Sequence, residues 1–185
     1  MSDPQDVPLT STRLLLEPLV VAHAQSLYPL LQDERLYSYI PYIPQEPPTS
    51  VDTLAARYRR LVARHAPDGQ YIWLNWAARL RAGQPYVGVF EATIEPDQTA
   101  LLAYMIVPAH QGRGYAREGG RRVIEHLIRD HGVRLVVAEI DTRNRASVGV
   151  VEALGFVRGA ERPAADFFKG AVSDEYCYEY RPKLP

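Results

Sequence analysis

The segment Val107-Pro108-Ala109-His110-Gln111-Gly112-Arg113-Gly114-Tyr115-Ala116 decides how the chain is read. It follows an apolar run, Ala100 to Val107, that reads as a buried strand, and it leads into a helical pattern from Arg113 to about Asp130. A glycine-rich turn between a strand and a helix lets backbone N–H groups approach an anion closely. The helix N-terminus adds about half a positive charge. Spacing separates the nucleotide-binding turns that share this logic. A Walker loop needs Lys and then Ser or Thr after its last glycine, and Tyr115 and Ala116 follow Gly114. A dinucleotide fingerprint begun at Gly112 needs Gly or Ala in the sixth place, where Arg117 stands. What remains is Gln-x-x-Gly-x-Ala, from Gln111 to Ala116.

Working outward, the next strand is Arg134 to Ile140. It leads through Asp141-Thr142-Arg143-Asn144-Arg145-Ala146-Ser147 to a short helix closed by Leu154-Gly155-Phe156. The Gln-x-x-Gly-x-Ala loop, followed by this Asn/Ser pair and the closing Gly-Phe, resembles the acyl-CoA site of the GNAT acetyltransferases. The opening Thr12-Arg13-Leu14-Leu15-Leu16-Glu17-Pro18-Leu19 is similar to the first strand of their RimJ/RimL-like, ribosomal-protein N-acetyltransferase branch. The likeness is strong from Tyr86 to Phe156 and looser elsewhere. It implies a mixed α/β GNAT-like fold, a twisted mixed sheet with helices on both faces, and a single acetyltransferase domain over residues 1–185.

Composition is compatible with that reading. A chain of 185 residues, 46% hydrophobic and 23% charged, fits one ordinary globular domain. A net charge of −1 gives no long-range attraction to nucleic acid or to an anionic membrane, and no apolar run approaches a bilayer span. The polar N-terminus, Met1 to Asp6, does not read as a signal peptide. The single cysteine, Cys177, excludes an internal disulfide and suits a reducing cytoplasm. The five histidines, His23, His65, His110, His126 and His131, lack metal-ligand spacing, so no metal is expected.

The remaining pattern gives the order β-α-α-β-β-β-α-β-α-β-β. Val20, Ala24, Leu27, Tyr28 and Leu31 share a helical face that Pro29 interrupts, and an aromatic, proline-rich loop runs from Tyr37 to Pro44. Thr49 or Ser50 caps a second helix reaching towards His65. Strands follow at Gln70 to Leu80 and Tyr86 to Ile94, and the tail holds another at Glu175 to Arg181. Asn144 and Gly155 cap and end the helix between them.

The site residues follow from the resemblance. Gln111, Gly112, Arg113, Gly114, Tyr115 and Ala116 are expected to hold the CoA pyrophosphate through backbone N–H groups. Ile106 and Val107 end a strand that, in this family, bulges and splays from its neighbour to pair with pantetheine and polarise the thioester carbonyl. Asn144 is expected to cap its helix and contact the cofactor arm. Ser147 is the candidate proton donor to the leaving thiolate. Val151 occupies the place where many members carry a tyrosine acid, and Ala100 and Leu101 occupy the region of a glutamate base. Glu91, mid-strand, is the remaining candidate base, its alternative being a solvated strand residue. Tyr104 fits a family preference for an aromatic there, and Tyr176, Tyr178 and Glu179 are further candidates to line the cleft.

The expected activity is transfer of acetyl from acetyl-CoA, the sole co-substrate, to an amine by direct attack in a ternary complex. A site without an evident base favours a weakly basic amine. An α-amine with pKa near 7.8 starts roughly 1 kcal/mol behind at pH 7, against about 4.6 for lysine. A protein N-terminus is therefore the first expectation. Small-molecule amines and a non-catalytic acyl-CoA-binding module are the alternatives, and a homodimer is left open.

Overall fold

The computed structural model describes residues 7–41, 45–81, 83 and 85–182. Tyr42 to Pro44 of the aromatic loop lie outside them. The order is β1 Leu9–Thr10, β2 Leu14–Pro18, α1 His23–Leu27, α2 Val51–Leu61, β3 Ile72–Leu80, β4 Tyr86–Ile94, β5 Thr99–Ile106, α3 Tyr115–His131, β6 Leu135–Asp141, α4 Arg145–Leu154, β7 Val157–Phe168 and β8 Ala171–Tyr180. The strands form one sheet in the order β1-β2-β3-β4-β5-β6-β8-β7. Every neighbouring pair is antiparallel except β5 and β6.

Helices cover both faces, as expected. Trp76, Phe90, Leu127 and Val151 belong to the core shared with α3 and α4. Leu27, Leu54, Tyr58 and Ala77 form the core beneath α1 and α2. Burial on both faces explains why β3 reads as a nearly unbroken apolar run. Pro29 acts as its ring demands: α1 stops at Leu27, and Tyr28–Leu31 continues as a 3-10 turn. Ser50 caps α2, its hydroxyl accepting from the Thr53 N–H at 3.1 Å. That helix ends at Leu61, and His65 instead bridges to Ile72.

The glycine pair in α3 has a packing reason. A methyl group on Gly119 would stand 2.3 Å from Cζ of Phe90, so α3 lies directly on the β4 ring. Asn144 and Gly155 bound α4 as expected, overriding a β-branched sequence of poor helix propensity. No helix among the described residues is long and apolar enough to cross a membrane.

Candidate active site

The anion loop comes first. After Ile106 the chain makes a 3-10 turn, Pro108–His110, and the Gln111 amide reaches back to the Ile106 carbonyl at 2.8 Å. Gly112 (φ +71°) and Gly114 (φ +80°) are both left-handed, a conformation costly for any residue with a Cβ. Gln111 to Gly114 are exposed. The first helical bond of α3 runs from Glu118 N–H to the Gly114 carbonyl at 3.0 Å. The N–H groups of Tyr115, Ala116 and Arg117 therefore precede it and have no acceptor within the helix. They form the positive end expected for a pyrophosphate cradle. Glu118 stands in this first turn, where its charge would repel phosphate. Ser11 Oγ, Arg13 N and Arg13 Nε each bond it at 2.7 Å. Burial would raise its pKa, but these bonds outweigh burial and lower it.

The loop opens into a gap in the sheet. β5 and β6 pair only from Thr99–Leu135 to Leu101–Val137, and then diverge. A cavity of about 750 Å³ extends into the opening, lined by Leu102 to Met105 of β5, Ala138 to Asp141 of β6, and Asn144 and Ser147. On the other edge of β5 the register with β4 is regular from Ile106–Gly88 to Ala100–Ile94. The expected bulge is thus absent from this ladder. The register shift lies one strand over, between Ala78 and Arg79 where β3 meets β4.

This regular ladder settles which β5 backbone groups face the gap. Val107 N–H donates to the Val87 carbonyl at 2.9 Å, and Glu95 N–H to the Thr99 carbonyl at 2.8 Å. Antiparallel pairs alternate, so odd-numbered residues of β5 bond to β4 while Leu102, Tyr104 and Ile106 turn their backbone groups towards the gap. Ile106 therefore keeps an N–H directed at the opening. Val107 does not: its N–H is engaged with β4, which corrects the expectation that it polarises the thioester. Ile106 and Val107 themselves are buried.

Across the gap, Asp141 organises the loop before α4. Its carboxylate accepts from Arg143 N (2.8 Å) and Nε (2.9 Å) on one oxygen, and from Ser173 Oγ (2.7 Å) on the other. Burial would raise this acid, but the hydrogen bonds from Arg143 and Ser173 prevail and bring it down to about 2. Asn144 Oδ1 then caps α4, accepting from Ser147 N–H at 3.1 Å. The Asn144 amide nitrogen and the Ser147 hydroxyl bond no other group among the described residues, and both residues line the cavity. Tyr104 bridges the gap, its hydroxyl donating to the Ser147 carbonyl at 3.4 Å. Burial pushes this phenol up to about 12, so it stays neutral.

Carboxylates line the cavity on both sides of the gap. Glu91, on β4, lines the cavity with its side chain still 36% exposed and meets Arg57 Nη2 at 3.3 Å. Glu175 of β8, 7% exposed, also lines it. Burial raises the Glu175 pKa, Glu139 and Asp166 raise it further, and Arg162, at 3.6 Å, opposes them. Sequence reading missed Glu175. It named Tyr176, Tyr178 and Glu179, but Tyr176 and Tyr178 face the α3/α4 core and Glu179 is not part of the cavity wall. The signal was the alternation Ser173-x-Glu175-x-Cys177, which puts a carboxylate beside Asp141 in register. Val151 is fully buried in the core and does not line the cavity. Cys177 does not line the cavity, and burial together with Glu139 raises its thiol pKa, making it a poor nucleophile.

The chain matches the acetyltransferase (GNAT) domain family over residues 13–157. Among curated proteins it is 26% identical over 99 residues to the uncharacterised YkkB of Bacillus subtilis, and 41% identical over 56 residues to the L-amino acid N-acyltransferase MnaT of Escherichia coli. These matches take in 45% and 30% of the chain and span 58% and 32% of the two relatives. In three dimensions it is similar to RimL, a ribosomal-protein alpha-N-acetyltransferase in complex with coenzyme A (TM-score 0.83, 20% identity, covering 95% of this chain and 98% of that one). It is also similar to Mycobacterium smegmatis RimJ with a CoA disulfide (TM-score 0.84, 16% identity, 98% and 90% covered). A family match over residues 13–157 spans well over half of the chain and takes in both the anion loop and the splayed strands: the chain belongs to the GNAT acetyltransferase family.

Proposed function

We propose that this protein transfers an acetyl group from acetyl-CoA to an α-amine, most directly the N-terminus of a peptide or protein. One observation carries the reading. A strand edge left unpaired by the β5/β6 divergence runs from a cavity with carboxylates to an anion loop of left-handed glycines. Strand edges bind extended amide-bearing chains, and helix N-termini bind phosphates. The residues present fit the cofactor's two chemistries.

Acetyl-CoA supplies an activated acetyl thioester. The loop from Gln111 to Ala116 holds the pyrophosphate, and Leu102, Tyr104 and Ile106 offer backbone groups to the pantetheine arm. Ile106 N–H is the donor available to the thioester carbonyl, a role worth roughly 3–4 kcal/mol in other acyl-transfer sites. Glu175 takes the proton from the attacking amine, directly or through a water, as C–N forms and C–S breaks. Ser147 returns a proton to the departing sulfur. Asn144 orients the cofactor arm while capping α4. Glu91 is held by Arg57 and is the second candidate base.

The acidic wall attracts a cationic amine, and an α-amine needs less help to lose its proton than lysine does. RimL, to which the fold is similar, is an alpha-N-acetyltransferase of ribosomal protein L7/L12, which agrees with a protein N-terminus. The test is incubation with acetyl-CoA and a peptide bearing both a free α-amine and a lysine. Acetylation is expected on the α-nitrogen, and it should vanish in Gly114→Asp. Acetylation confined to lysine would overturn the α-amine reading.

A further inference from the structure

Tyr58 is the most informative group that this chemistry leaves unused. It is 4% exposed, it lines the cavity from α2, and its hydroxyl is buried without a hydrogen-bond partner among the described residues. Buried polar groups are nearly always paired, so an orphan beside a cavity marks a place where a ligand atom belongs. Burial raises the Tyr58 phenol above its ordinary range, with Arg57 opposing and Glu91 reinforcing the rise. It is therefore a neutral donor at any working pH.

Its neighbours narrow the partner. Arg57 and Glu91 also line the cavity and touch through one contact, Nη2 to Oε1 at 3.3 Å. That contact uses one oxygen of Glu91 and one edge of a guanidinium with five N–H donors. The cluster thus offers donors from Tyr58 and Arg57, an acceptor from Glu91, and no net charge. A second carboxylate placed here would meet Glu91, and a second cation would meet Arg57. A neutral group with one carbonyl and one N–H suits all three. The carboxylates left for the acceptor's ammonium are Glu175 and Glu139, across the cavity on β8 and β6, where Arg162 pairs with Glu139 and stands 3.6 Å from Glu175.

We propose that Tyr58 and the Arg57–Glu91 pair form a subsite for the first peptide unit of the acceptor, with Tyr58 donating to its carbonyl. This rests on the α-amine reading above and adds the residues that distinguish a peptide N-terminus from a bare amine or a free amino acid. Tyr58 is a specificity determinant, not a catalytic group. Because its hydroxyl bonds no other protein group among the described residues, removing it leaves no protein atom newly orphaned.

Tyr58→Phe separates the possibilities. Steady-state kinetics would use three acceptors: alanine N-methylamide, free alanine, and difluoroethylamine, a weakly basic amine without a carbonyl. The wild type is expected to prefer the N-methylamide to free alanine by about tenfold or more in kcat/KM. Tyr58→Phe should raise KM for the N-methylamide about tenfold, leave difluoroethylamine unchanged, and not lower the melting temperature. An equal loss on the N-methylamide and on difluoroethylamine would show a structural role and overturn the proposal. So would a preference for free alanine that disappears in Arg57→Gln, because the cluster would then read a carboxylate. Transfer that ignores Tyr58 overturns this proposal alone. Bound acetyl-CoA with no transfer to any of the three overturns the α-amine reading and this subsite with it.

Discussion

Arg13 at the start of the N-terminal strand region closes on Glu118 in the first turn of α3, Nε to Oε2 at 2.7 Å, while its Nη1 donates to the Arg113 carbonyl at 3.1 Å. One side chain therefore neutralises the carboxylate nearest the anion loop and ties that loop to β2. Its guanidinium also lies 4.6 Å from the Tyr115 ring centroid. Arg13→Gln should free the Glu118 charge beside bound phosphate. Acetyl-CoA affinity, measured by calorimetry, should fall about 5- to 30-fold, and the loss should shrink as salt is added. Unchanged affinity would mean that the Glu118 charge does not reach the phosphates.

Gly119 tests the packing that aims α3. A methyl group there meets Phe90 at 2.3 Å, and Phe90 is fully buried. Gly119→Ala should destabilise the fold by about 1–3 kcal/mol in denaturant unfolding, despite the better helix propensity of alanine. Phe90→Leu combined with Gly119→Ala should recover part of that loss relative to the sum of the single changes. Strict additivity would place the two residues out of contact.

Ser147→Ala isolates the proton returned to sulfur. Its backbone N–H, not its hydroxyl, receives the Asn144 cap, so α4 should keep its start. Turnover is expected to drop about 100-fold with acetyl-CoA affinity nearly unchanged. A change of only a few-fold would make Ser147 a plain helix residue and turn attention to Tyr104, whose hydroxyl contacts the same turn at 3.4 Å.

Glu175 yields a pH prediction of definite sign. Burial first, then Glu139 and Asp166, raise its pKa from the ordinary 4.5. A base must be ionised, so kcat/KM for the amine should fall as pH drops through that raised value. Glu175→Gln should remove the enzyme's part of this limb and leave only the amine's own titration, and Glu91→Gln should leave both in place. Stability carries the opposite consequence. The raised pKa favours the protonated fold, so its contribution is full below the unfolded value and is lost as pH rises through the folded one. Glu175→Gln should therefore melt higher than wild type at neutral pH, with the gap closing towards pH 4. An enzyme limb that survives in Glu175→Gln and disappears in Glu91→Gln would exchange the two roles.

The elements with strong local signals were legible in the sequence. Strand β4 and helix α4 carry the limits read from turn and cap residues, because Asn144 and Gly155 each act through a bond to backbone a few residues away. β7 was expected only as an unplaced strand. Its first eight residues are exposed, its ladder with β8 shifts register twice, and Ala164 takes φ +51°, so no alternation survives to be read. The tight turn before α3 was legible because glycine there reports backbone conformation directly. The carboxylate of the cavity wall was not, because Glu175 reaches the cavity through sheet order. β8 inserts between β6 and β7, and only that long-range pairing brings Glu175 beside Asp141. The Val107 error has the same origin. Which backbone edge faces the gap depends on the register with β4, and a strand pattern does not reveal that.

Direct attack in a ternary complex is the central claim, and initial rates of thiol release with acetyl-CoA and an α-amine peptide both varied test it most directly. Intersecting double-reciprocal lines are expected, with no thiol released until amine is added, since the one cysteine is off the cavity and poorly ionised. Parallel lines, or a burst of thiol without amine, would show an acetylated enzyme and contradict the account.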